Sequence, residues 1–281
     1  MCSDFFLYLC GVNPTIEYIT SQIDGFYSPE EARELAFWVV EETTGLSRAA
    51  ISACKDTQNI LNIEKILSRL RKKEPIQYIF GHTLWFGLDL LVTKDTLIPR
   101  PETAELVQLV LNSMPETALS VLDVGTGSGA IALALKSRRP NWQVSGLDVS
   151  DAALSVARQN ALRNRLDVRF FPADILSPVD VPAFDCVVSN PPYVCESEKA
   201  SMEANVLDYE PSSALFVPDT DPLLFYRRMA ALRLGRQLFF EINSRFGAQT
   251  AQLLRDSGYS DVTVYQDMYG KDRMVSGRIE I

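Results

Sequence analysis

Residues 184–193 read FDCVVSNPPY. An apolar run with the character of a buried strand leads straight into Asn190-Pro191-Pro192-Tyr193. Tandem prolines fix φ and remove two N–H donors, so the exit is rigid and extended. The Pro191 carbonyl then faces a cleft without an amide competing beside it, and Asn190 adds a side-chain carbonyl. Two such acceptors suit one planar –NH2 group, and Tyr193 offers an aromatic face on which an amide or base stacks. An amide nitrogen is a poor nucleophile because its lone pair is conjugated. If both of its N–H groups are held by acceptors, the lone pair is aimed without a strong base. Positioning of this kind is worth up to about 7–11 kcal/mol in model reactions. The chemistry implied is methyl transfer to an amide or amino nitrogen.

The donor of that methyl group is read from residues 120–133, SVLDVGTGSGAIAL. A strand ends at Val124, and Gly125, Thr126, Gly127, Ser128 and Gly129 form a loop before a helix. Glycines let the backbone turn sharply and approach a ligand, and the helix start presents free N–H groups. Gly125-x-Gly127-x-x-Ala130 also satisfies the dinucleotide pattern, so the spacing alone is ambiguous. Asp148, 21 residues after Gly127, is placed for a ribose hydroxyl, which NAD and S-adenosylmethionine share. Asp123 separates the two: an acid here is awkward beside a pyrophosphate but suits the cationic amine end of S-adenosylmethionine.

These loops need a scaffold. From residue 120 the chain alternates strands (121–124, 143–149, 167–171, 185–189, 237–242) with helices (131–137, 152–164, 223–232, 248–256), which implies a parallel, doubly wound α/β sheet. Runs at 261–266 and 274–279 are expected to form a terminal hairpin about residues 268–271. Earlier, Ser28-Pro29-Glu30-Glu31 reads as a capping box, with Gly45 closing that helix. Asn62 is expected to cap another helix, with Arg71, Lys72 and Lys73 at its solvated end. Residues 1–74 are expected to form a helical bundle, 75–100 a β-hairpin connector turning at 81–83, and 101–281 the catalytic domain.

The chain has 281 residues, with 27 Lys and Arg against 36 Asp and Glu, a formal charge of −9. The first 100 residues hold 10 basic and 13 acidic groups and the remainder 17 and 23, so neither part is a basic nucleic-acid surface. A negative field favours encounter with a basic protein. Five cysteines, with no CxxC pair, and no secretory signal point to a reducing cytoplasm. Cys186 and Cys195, which flank the NPPY run, are read as packing, and so are Trp38 and Trp85. Residues 5–12, although apolar, are read as packing surface. The one histidine, His82, is read as turn or connector polarity, and no metal site is expected.

The chain resembles the HemK-type protein-glutamine methyltransferases, in particular those acting on peptide chain release factors, over nearly its whole length. The resemblance is carried by Pro75-Ile76-Gln77-Tyr78-Ile79-Phe80-Gly81, by Leu97-Ile98-Pro99-Arg100-Pro101-Glu102-Thr103, by 123–129 and 190–193, by Tyr209-Glu210-Pro211, by Glu241-Ile242, and by Gly270-Lys271-Asp272-Arg273. It implies a class I S-adenosylmethionine-dependent methyltransferase with a Rossmann-like seven-stranded sheet. It further implies methylation of the glutamine amide in the GGQ loop of class 1 release factors, with S-adenosylhomocysteine as product. By the same resemblance Gly125–Gly129, Asp148 and Asn190 contact the cofactor, Asp174 and Ile175 lie by the adenine, and 190–193 bind the glutamine. The chain departs from the family pattern at Ala104, at Ile175, where an aromatic is common, and over 217–223. A monomer without DNA or membrane partners is expected. A ribosomal-protein glutamine methyltransferase and, less favoured, an adenine or cytosine amino-methyltransferase stay open as alternatives.

Overall fold

The computed structural model describes residues 13–53 and 60–280. Residues 5–12 and Cys2, Cys10 and Cys54 lie outside them. The chain divides into two compact units, one ending at Phe80 and the other running from Gly81.

The first unit is helical: α1 (Pro14–Gln22), α2 (Pro29–Thr44), α3 (Arg48–Ala53), α4 (Ile63–Leu70) and α5 (Ile76–Phe80). Ser28 Oγ accepts from the Glu31 N–H, Pro29 occupies the first turn, and Gly45 ends α2 at φ 70°, where the missing Cβ removes the steric penalty. Asn62 precedes α4 in a left-handed conformation and makes no side-chain cap bond, so it marks the boundary by backbone geometry alone. Arg71 does not end in solvent: its guanidinium donates to the Gln22 carbonyl and to Gln22 Oε1, both at 2.9 Å. Ile16, Ile19, Ala36, Val39, Val40, Leu67 and Leu70 close one core. Residues 76–80 form a helix rather than the first arm of a hairpin, because Ile76, Ile79 and Phe80 pack into the core of the bundle.

The hairpin itself is β1 (His82–Trp85) with β2 (Leu88–Leu91), and its turn falls at Phe86-Gly87, both at positive φ, the geometry two-residue hairpins favour. It belongs to the second unit. Asn160, fully buried, accepts from Leu91 N–H (2.6 Å) and donates to the carbonyls of Leu91 and Ser128. One carboxamide thereby fastens the hairpin to the helix behind the glycine loop.

The remainder of this unit comprises α6 (Pro101–Ser113), β3 (Ser120–Val124), α7 (Ala130–Arg138), β4 (Gln143–Asp148), α8 (Asp151–Arg163), β5 (Arg169–Pro172), β6 (Phe184–Ser189), β7 (Val194–Cys195), α9 (Ala204–Tyr209), β8 (Phe216–Val217), α10 (Leu224–Leu232), β9 (Gly235–Glu241), α11 (Gly247–Asp256), β10 (Ser260–Gln266) and β11 (Asp272–Arg278). Seven strands form one sheet in the order β10-β11-β9-β6-β3-β4-β5, with β7 and β8 paired separately. β9, β6, β3, β4 and β5 are parallel, while β11 is antiparallel to β9 and to β10. Alternate side chains serve opposite faces. Val121, Cys186, Val188 and Phe239 join one core with α6, α7 and α8, while Leu122, Val187, Leu238 and Phe240 join another with α10 and α11. Burial on both faces explains why these strands read as continuous apolar runs. After β3 the chain builds outward through β4 and β5, then returns to place β6 on the other side. The strand order therefore reverses between β3 and β6, the place where such sheets open a crevice at their carboxyl ends.

Candidate active site

A cleft opens there, with about 1110 Å³ of empty space including its mouth, lined on one side by Gly125–Ser128 and Asp148 and on the other by Asn190, Pro191 and Pro192. Thr103, Arg100, Asp174 and Ile175 complete its walls.

The loop after β3 is shaped by its glycines. Gly125, Gly127 and Gly129 stand at φ 72°, 54° and 82°, a region that side chains with a Cβ avoid. A Cβ on Gly125 or Gly127 would meet no atom within 4 Å, whereas on Gly129 it would approach Phe170, Ala157 and Leu133 at 3.1–3.2 Å. The first two thus keep backbone open for a ligand, and the third lets α7 pack onto α8. Beneath them Gly146 leaves room for Thr126, whose Oγ1 a Cβ would meet at 2.7 Å.

Asp148, at the end of β4, accepts the Gly127 N–H and the Ser150 N–H, each at 2.9 Å. It is half-buried, and its carboxylate has lone pairs beyond those two bonds. Asp174 is exposed and accepts from Leu176 N–H and Ser177 Oγ, so it caps its own turn, while buried Ile175 presents an apolar wall.

Asp123 is placed differently from expectation: it does not line the cleft. Its fully buried carboxylate accepts from Thr126 Oγ1 at 2.6 Å and from the Ala132 N–H at 3.2 Å, and Oδ1 has no partner. It braces the loop and the start of α7 from behind. Burial pushes its pKa up to about 7, against the lowering effect of the Thr126 and Ala132 bonds, and Asp148 raises it further.

Tyr193 likewise lies off the cleft wall. Its ring packs against the α10–α11 core, and its hydroxyl donates to Glu241 Oε1 at 3.0 Å. The extended exit carries it to the end of β9, with its ring partly buried. Burial, with the Glu241 charge second, raises its pKa far above the ordinary phenol range. Asn190 does line the cleft, and its Nδ2 donates to Thr103 Oγ1 at 3.1 Å. Thr103 in turn donates to Glu241 Oε2 at 2.7 Å. Glu241 is 1% exposed, and burial raises its pKa while the Thr103 and Tyr193 bonds and the Arg273 charge lower it.

Thr103 and Glu241 stood in the matched family segments without a role, because the contact joins α6, β6 and β9 across 87 and 138 residues. Arg100 lines the cleft and pairs with buried Glu210 at 2.6 Å, and Trp85 Nε1 donates to the Arg100 carbonyl. Cys186 and Cys195 are buried, and burial raises both thiols, which leaves them inert as nucleophiles. His82 begins β1 and meets Asp89 at 3.0 Å.

Residues 104–208 match the family model described as Methyltransferase small domain. A release factor glutamine methyltransferase of Bacteroides thetaiotaomicron is 42% identical over 94% of this chain and 99% of its own length. Relatives of the same name from Flavobacterium psychrophilum and Geobacter sulfurreducens are 44% and 34% identical, over 78% and 89% of this chain and 81% and 90% of theirs. Among solved structures, a methyltransferase from Pyrococcus furiosus is similar with TM-score 0.53 at 19% identity, covering 78% of this chain and 100% of its own. Human methyltransferase 10 domain containing protein gives 0.50 at 19%, covering 75% and 91%. The sheet order and the cleft at its reversal are those of a class I S-adenosylmethionine-dependent methyltransferase. Within that class, the chain belongs to the release factor glutamine methyltransferase family.

Proposed function

We propose that this enzyme transfers the methyl group of S-adenosylmethionine to the side-chain amide nitrogen of the GGQ glutamine in class 1 release factors. The observation that carries the reading is the single cleft in which the glycine loop and Asp148 face the Asn190-Pro191-Pro192 exit. The donor set suits the cofactor. Gly125 and Gly127 keep backbone open, Asp148 offers a carboxylate for the ribose, Asp174 and Ile175 flank the adenine position, and Thr126, Ser128 and Asn190 complete the surround, whereas Gly129, expected there too, lies off the cleft and serves helix packing. The cofactor, when bound, supplies an electrophilic methyl on a sulfonium. The chain does the rest: Asn190 Oδ1 and the Pro191 carbonyl accept the two amide N–H groups, and Pro192, lacking an N–H, offers no competing donor. The nitrogen lone pair is thereby aimed at the donor without a general base, and the surplus proton leaves late, from the methylated nitrogen to water.

The helical unit is proposed to bind the release factor, and the chain to act as a cytoplasmic monomer. Among the described residues no helix is long and apolar enough to cross a membrane. The test is transfer of labelled methyl to three acceptors: an intact release factor, the same factor with its GGQ glutamine changed to alanine, and duplex DNA. Label on the intact factor alone, with one methyl placed on that glutamine by mass spectrometry, is expected. Label on DNA, or on both factors alike, overturns the reading.

A further inference from the structure

The two ends of a carboxamide are nearly equal in size and opposite in hydrogen bonding, so shape does not choose which end faces a cleft. A neighbour of fixed polarity has to choose. For Asn190 that neighbour is Thr103, in the first turn of α6, and behind it stands Glu241 at the end of β9.

We propose that Thr103 and Glu241 form a positioning pair that fixes the Asn190 carboxamide with its oxygen toward the reacting nitrogen. The inference rests on the amide-methylation reading above and assigns that reaction two further residues. Its basis is a chain of donors and acceptors with one direction. Glu241 accepts from two hydroxyls, Thr103 Oγ1 on Oε2 at 2.7 Å and Tyr193 on Oε1 at 3.0 Å. A threonine hydroxyl has one proton. Once that proton is given to Glu241, Oγ1 accepts only, and Asn190 must present Nδ2 to it, as it does at 3.1 Å. The carbonyl end is then the one left for the cleft. Glu241 is buried and does not line the cleft, so it acts through Thr103. The same carboxylate holds Tyr193, three residues beyond Asn190, so both ends of the proline turn are tied to one group.

The full-length protein tests this by steady-state methylation of an intact release factor, with cofactor affinity measured by calorimetry. Thr103→Val keeps the shape and removes the relay. It is expected to lower kcat roughly 10- to 100-fold, the loss of one bond to a charged network, with cofactor Kd within about threefold. Thr103→Ser restores the hydroxyl and is expected to hold kcat within about threefold of wild type. Glu241→Leu removes the acceptor, so the Thr103 hydroxyl is free to turn its proton toward Asn190 Oδ1. It is expected to match Thr103→Val, and carries the test if that variant does not fold. Full turnover in either Thr103→Val or Glu241→Leu overturns the inference, and so does an equal loss in Thr103→Ser, which would mean packing rather than polarity. A wild-type protein that binds S-adenosylmethionine but leaves the factor unmethylated overturns the substrate reading, and the inference with it.

Discussion

Two aspartates near the cleft make opposite predictions. Asp148 is half-buried and holds two backbone N–H groups of the loop that shapes the site. Asp148→Ala is expected to weaken cofactor binding at least tenfold, since bonds to a charged acceptor are worth about 1.5–3 kcal/mol each. Calorimetry giving an unchanged affinity would refute its role. Asp123 is fully buried and its Oδ1 has no protein partner, with its pKa pushed up to about 7. A carboxyl whose folded pKa lies above its unfolded value of 3.8 holds its proton more tightly when folded. Its contribution to stability is full below about pH 4 and is lost as pH rises through about 7, on the order of 4 kcal/mol in all. Asp123→Asn removes that titration while the amide oxygen, in the place of the carboxylate's Oδ2, keeps both bonds. Urea unfolding at pH 5 and pH 8 is expected to show wild type losing stability relative to the variant as pH rises. Parallel pH profiles would count against the buried, protonated carboxyl.

The hairpin shows how one side chain positions several elements. Asn160 satisfies both backbone groups of Leu91 and the Ser128 carbonyl, and each buried group left without a partner costs about 1–3 kcal/mol. Asn160→Ala is therefore expected to lower the Tm by several degrees and to weaken cofactor binding, because Ser128 belongs to the glycine loop. Much of this architecture is legible in the sequence. The central strands β3, β6 and β9 announce themselves as apolar runs because both faces are buried, and Gly125–Gly129 and Asp148 fall at the ends that the strand–helix alternation assigns them. The hairpin register was misplaced, since residues 76–80 are apolar enough for a strand and only packing against α4 makes them a helix. The β7–β8 pair, two residues a strand, is too short for any periodicity. The Thr103–Glu241 contact was hidden for a different reason: each residue looks ordinary alone, and only the sheet order brings β6 beside β9 and the start of α6 over their ends.

The two units each have a core of their own. The helical unit closes around Ile19, Val39 and Leu67, and among the described residues both cores flanking the sheet draw only on those from Trp85 onward. A chain beginning at Gly81 is expected to fold and to bind S-adenosylmethionine within about threefold of the full-length affinity. It is expected to methylate an intact release factor at least tenfold less efficiently through a raised KM, if the helical unit is the substrate grip. Equal KM for the two proteins would assign recognition to the cleft unit instead. The net charge of −9 adds a salt-sensitive encounter with any basic partner.

The strand order carries a further consequence for how the enzyme is made. β11, the last strand in the chain, lies between β10 and β9 rather than at the rim. Until it is threaded in, β9 with Phe239, Phe240 and Glu241 is an open margin, and exposed margins of this kind invite pairing with other chains. A ribosome makes residues 272–278 after every other strand of the sheet, so until then the carboxylate that steadies the site has no completed sheet around it. A premature stop before residue 272 would therefore leave no smaller enzyme, only an unfinished surface.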